Sequence, residues 1–270
     1  MTDMEKPHAV GGTDEIRLNL QKVYGVDRGT LIFGSLSSAY DRLLFAHHHL
    51  KLLRKAAKPA VEQGLKTCGF LESLDNEEGT EALFSQSMHQ IKMHVTDCIQ
   101  HLHAIGDTVA FAIYFFIDVP EEKQLIKKNI TLSAVHKLFE RNSALPGTTV
   151  FSTKAKELAI NENYAYLVDL NNHAKHRSIV KPSVSIPFDR EVSEEEHEDL
   201  LIFSTVEMSS PPPSLQNRGA TPVHAQRPIL PFIESELTRI WGIYGEIRQE
   251  IEKEVRLAAP KAGCAAARQA

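Results

Sequence analysis

Apolar residues return at alternating spacings of four and three along four long stretches of this chain, a pattern that predicts helices with one buried face. The first stretch carries Ala39, Leu43, Ala46, Leu50, Leu53 and Ala57. Ser38 with Asp41 three residues on reads as its capping-box start, and Pro59 as its stop. A connection follows over 68–79, where Gly69, Asp75, Asn76 and Gly79 cluster. The second stretch runs through Phe84, Met88, Ile91, Val95, Cys98, Leu102, Ile105, Val109, Ala112 and Phe116, and predicts the longest helix. Asp118 and Pro120 close it, short helices are expected over 121–128 and 132–141, and residues 144–147 (Ala-Leu-Pro-Gly) form a breaker. The third stretch spans 153–176 with Leu158, Tyr164, Leu167, Leu170 and Ala174 buried and a break near Asn161 and Asn163. The last begins near Pro231 and buries Ile233, Leu237, Ile240, Tyr244, Ile247, Ile251 and Val255.

Between the third and last stretches the period changes. Residues 184–188 and 200–207 read as two short strands around the acidic tip 191–199, and Ser209–Pro228 reads as a long loop on composition. Helices with one apolar face must bury it against another element, so the expected fold is an all-α helical bundle with a short β-hairpin excursion before the last helix. The chain divides into an N-terminal arm with a short helix (1–34), one helical domain (35–258, hairpin and loop at about 183–228) and a flexible tail (259–270).

A net charge of -5 excludes a protein that coats nucleic acid by bulk charge, so any such contact must be a local basic patch. Cys68, Cys98 and Cys264 are odd in number and widely separated, without the paired spacing of a zinc ribbon or a disulfide framework, which fits a reducing, cytoplasmic setting. Residues 1–13 lack the layout of a secretory signal. The longest apolar run, Val109–Ile117, falls well short of the roughly 20 residues of a membrane span, and no membrane contact is expected. The chain has no Gly-rich phosphate loop, no His-Glu-x-x-His and no Gly-x-Ser-x-Gly, and no cofactor is expected.

Two constellations offer chemistry. Asp169, Asn172, His173 and His176 recur at i, i+3, i+4 and i+7, with Lys175 and Arg177 beside them. Amide, imidazole and guanidinium donors there suit a phosphate or carboxylate; alternatively, Lys175, His176 and Arg177 only complement the negative end of the helix dipole. His94, Asp97 and His101 share a face of the longest helix. His94 and His101 lie about 10 Å apart along the axis, so all three cannot hold one ion. Asp97 with His101, joined by His47 or His49 from the first helix, would form a divalent-metal site; an ordinary hydrogen bond between them is the alternative. His47, His48 and His49 point about 100° apart, so at most one faces any site. Cys98 lies in the apolar stripe and is expected to be a small buried hydrophobe.

The run Tyr166 to Arg177 (YLVDLNNHAKHR) resembles the Asn-x-x-Lys-His-Arg signature of uncharacterised bacterial proteins assigned to the HEPN superfamily, and Leu102–Ala110, with Asp107, is similar to the companion segment of that group. The similarity covers about 38–180 and the final helix. It implies an up-and-down bundle, homodimeric, that associates with RNA or nucleotide and in catalytic members cleaves RNA without a metal. Those members carry an Arg, four to six residues, and a His at a site shared by two subunits. Here Arg42 precedes His47, His48 and His49, and Arg190 precedes His197. The sequence departs from the pattern at Leu43, an apolar stripe residue where a polar one is usual. By analogy, His176 would do acid/base work on a ribose 2'-hydroxyl while Arg177 or Arg42 holds the phosphate, and Asn172 and Lys175 complete the phosphate site. Two rival readings are a noncatalytic scaffold that engages protein partners through 209–228 and a metal-dependent helical enzyme around His94, Asp97 and His101.

Overall fold

The structure is a computed structural model that describes residues 13–69, 78–117, 119–142, 149–176, 180–187, 190–203, 205–208 and 223–266, with side chains for all of these except 13, 67–69, 78–81, 122, 176 and 260–266. It is an all-α bundle with a two-stranded antiparallel hairpin before the last helix. The helices are α1 (Thr13–Tyr24), α2 (Val26–Gly69), α3 (Glu78–Phe116), α4 (Leu132–Arg141), α5 (Thr149–Ala159), α6 (Glu162–His176) and α7 (Ile229–Ala266); the strands are β1 (Pro182–Val184) and β2 (Leu201–Phe203). Among the described residues no helix is long and apolar enough to cross a membrane.

Two signals predicted for the first long helix are overridden. Ser38 and Asp41 lie inside α2, which starts twelve residues earlier, because the buried stripe continues upstream through Leu36 and Ile32 and its burial carries the helix past a local cap. Gly25, at φ 81°, makes the turn from α1, and Gly29 approaches α1 so closely that a Cβ would lie 2.7 Å from the Leu20–Gln21 backbone. Pro59 does not end α2 either. It is exposed, as is Lys55, whose carbonyl loses its helical donor and can turn to water, while Ala56, Ala57, Ala60 and Val61 stay buried on the other side. At the other end of the chain α7 continues through Pro260 to Ala266.

The described residues fall into two compact units, one within Met1–Tyr40, Gly106–Glu157 and Gly242–Ala270, the other within Asp41–Ile105 and Leu158–Trp241. In the first, Arg28 closes the end of α3 by donating from Nε to the Phe115 carbonyl at 2.6 Å and from Nη2 to that of Ile117 at 2.9 Å. Asp107, from the segment compared with HEPN proteins, accepts the Leu132 N–H at 2.9 Å and so fixes the start of α4, where Thr131 caps Ala134. The helix expected over 121–128 is instead two 3-10 turns, Glu121–Lys123 and Lys127–Asn129, a stretch with few buried side chains to support an α-helix.

The second unit carries the hairpin. β1 and β2 pair as Pro182 with Phe203, Ser183 with Ile202 and Val184 with Leu201. The longer strand expected over 200–207 divides: its first half pairs with β1, while Val206 and Glu207 pair with chain after the long loop, through the Val206 carbonyl accepting from His224 N–H at 2.8 Å and a Glu207–Val223 bridge. The acidic tip forms a 3-10 turn, Glu194–Leu200, behind a Ser193–Glu196 capping box. β1 lies against α2 at Gly64, where an added Cβ would meet Val184 and Ile186 at 3.2 Å. The breaker at 144–147, most of the connection 68–79, and 209–222 of the long loop lie outside the described residues.

Candidate functional site

On α2 the residues Arg42, Phe45 and His49 follow i, i+3, i+7 along one flank of the buried stripe formed by Leu43, Ala46 and Leu50. His94, Asp97 and His101 do the same on α3, flanking Val95, Cys98 and Leu102. The fully buried Cys98 thiol donates to the Ala46 carbonyl at 3.5 Å, and burial pushes it above the ordinary thiol range, so it is a packing residue between the helices. This contact brings the two polar flanks face to face. His49 Nδ1 lies 3.2 Å from His94 Nδ1 and 3.4 Å from Asp97 Oδ2. The His101 ring stacks on His49 at 5.9 Å and 25° and packs against Phe45 at 5.3 Å.

Of the three consecutive histidines, one faces this strip. His47 turns to the other flank, 6.3 Å from the Trp241 ring, and His48 is exposed. Among the described residues the metal-capable set is His49, His94 and Asp97, one donor from each within 4.8 Å of the others. His101, paired with Asp97 in the sequence reading, falls outside that set; its ring packs beside His49, and its Nδ1 is buried without a hydrogen-bond partner. Burial is the main cause that holds His47, His94 and His101 below the ordinary imidazole pKa, a direction that favours the neutral ring. For His101 the Arg42 guanidinium adds to the effect of burial.

The surroundings are basic in a chain that is acidic overall. From Arg42 to Lys58 there are two Arg, three Lys and three His with no Asp or Glu. Arg42 and His49 lie on one flank of the stripe, and His47, Lys51, Arg54 and Lys58 on the other. Lys51, Lys55 and Lys58 are exposed, whereas Arg54 is paired with Glu198 at 3.1 Å and Glu234 at 2.6 Å. Among the described residues no carboxylate pairs with Arg42, and its Nε is buried without a hydrogen-bond partner. This acid-free run was visible in the sequence and is the signal that a search for catalytic spacings passes over.

The α6 signature is organised differently. Asn161 breaks α5 from α6 by accepting the N–H groups of Asn163 and Tyr164 at 2.9 and 3.3 Å. Asp169, read as part of a polar strip, is buried against His224 at 2.7 Å, paired with the chain that returns from the long loop. Arg227 follows His224, stacks over Tyr166 at 4.8 Å and binds Asn163 and Glu162. Neither residue was singled out in the sequence, since no spacing links 224 or 227 to α6. Asn172 and His173 are half-buried and Lys175 is exposed; the His176 side chain and Arg177 lie outside the described residues. Asn171 is buried with neither amide atom hydrogen-bonded. In the second Arg-to-His spacing, Arg190 is tied to Glu196 at 2.7 Å, and His197 lines a cavity of about 370 Å³ beside Arg54.

The chain matches no family model, no curated protein and no solved structure. The HEPN resemblance therefore stands on the residues quoted for it.

Proposed function

We propose that this protein is a cytoplasmic RNA- or nucleotide-associated helical module whose phosphate-handling surface is the exposed part of α2 with the facing strip of α3. The observation that carries this reading is the acid-free run Arg42–Lys58, which sets Arg42 on the flank of α2 that carries His49 and faces His94 and His101, and three exposed lysines on the rest of the helix surface. It is the local basic patch that a chain of net charge -5 needs for contact with a polyanion. The Arg42–His49 spacing agrees with the resemblance, and Leu43, which departs from it, is turned into the core and leaves the polar flank intact.

As a ribonuclease the strip works without a metal. A neutral imidazole, His94 or His101, takes the ribose 2'-hydroxyl proton, the 2'-oxygen attacks phosphorus, Arg42 holds the phosphate oxygens, and the leaving 5'-oxygen takes its proton from water. Exposed Phe45 and Met93 beside the strip supply an apolar surface for a second copy of the chain.

The test is cleavage of mixed RNA by the purified chain in EDTA, comparing wild type with Arg42→Gln, His94→Ala and His176→Ala. Wild type leaves 2',3'-cyclic phosphate ends, and Arg42→Gln and His94→Ala lose about 10²-fold in rate while remaining folded. Loss in His176→Ala alone moves the chemistry to α6. RNA binding without cleavage leaves a noncatalytic binder, and the absence of both overturns the proposal.

A further inference from the structure

We infer that His49, His94 and Asp97 form a binding site for one divalent transition-metal ion of the zinc class. The inference is independent of the RNA reading, which uses the strip without an ion. Two donors, each about 2.1 Å from a tetrahedral ion, lie roughly 3.4 Å apart. The 3.2 Å between His49 Nδ1 and His94 Nδ1 and the 3.4 Å between His49 Nδ1 and Asp97 Oδ2 are spacings of that kind, and the three-donor set closes within 4.8 Å. Two imidazole nitrogens and one carboxylate oxygen suit Zn²⁺, Co²⁺ or Ni²⁺ better than the all-oxygen preference of Mg²⁺ or Ca²⁺.

The donors stand on rigid elements. His94 and Asp97 occupy adjacent turns of α3, His49 comes from α2, and the two helices are joined directly beneath by Cys98 and Ala46. The His101 ring packs beside His49, 5.9 Å away between centroids and tilted by 25°. All three donors are half-buried or partly exposed, which gives an ion a path in and leaves a fourth coordination position for water or a ligand. An ion there occupies His49 and His94, so they cannot act as free acid and base while it is bound.

Direct binding tests this with the untagged full chain, stripped with chelator and titrated calorimetrically with Zn²⁺, alongside His94→Ala, Asp97→Asn and a distant control, His136→Gln. The expected result is one high-affinity ion per chain, weakened at least about 10-fold in each ligand variant, the loss seen even for groups behind a ligand, and unchanged in the control. Co²⁺ absorption bands of a tetrahedral site, present in wild type and absent in His94→Ala, give a readout independent of the thermodynamics. Circular dichroism confirms that the variants are folded. Wild-type binding that the ligand variants leave unchanged, or no binding below millimolar Zn²⁺, overturns the inference.

Discussion

Two histidine–aspartate contacts in the same unit show how one pair of side chains serves different ends. Asp169 and His224 meet at 2.7 Å with 8% and 11% of their side chains exposed, whereas Asp97 and His49 stand 3.4 Å apart at 41% and 23%. The first is packed against Tyr166 and the returning chain. The second is open to solvent and shared with His94. A polar pair that is buried and satisfied holds the fold; one that is spaced and reachable is available for chemistry.

Removing each aspartate separates the two roles. Asp169→Ala is expected to destabilise the chain by about 3 kcal/mol in urea unfolding, because His224 loses its partner in a buried place. Asp97→Ala is expected to cost less than about 1 kcal/mol, as exposed ion pairs do. Equal losses would erase the distinction. A smaller effect concerns the solvent-facing pair Arg190–Glu196 at the acidic tip. Arg190, first, and the Ser193 N–H hold the Glu196 carboxyl down to about 2, from an ordinary 4.5. A depressed folded value means that this contribution is present above about pH 4.5 and is lost as pH falls toward 2. The difference in urea midpoint between wild type and Glu196→Gln should therefore shrink across that window; a constant difference down to pH 2 contradicts it.

How far the sequence reached follows from the range of each interaction. The buried faces of α2, α3 and α7 were legible because an alternating four and three spacing is local, and from Leu43 to Ala57 and from Ile233 to Val255 each position named is buried. The break at Asn161 was legible for the same reason. The start of α2 and its passage through Pro59 were not, since both depend on burial upstream and on which side of the helix the proline faces. In the site, His49 could be narrowed down because only one of three consecutive histidines can face a given partner. Its pairing with His94 instead of His101 needed the register of two helices, which Cys98 against Ala46 sets. The burial of Asp169 was not legible, because the residue that pairs with it lies 55 positions away, beyond a long loop.

The most direct test of the central claim, that the basic part of α2 holds RNA phosphate, is the salt dependence of single-stranded RNA binding by wild type, Arg42→Gln and Lys51→Gln. The account predicts affinity that falls steeply with salt, and a log–log slope shallower by about 0.7 for each phosphate contact removed. Slopes identical among the three proteins, or no binding at low salt, would contradict it.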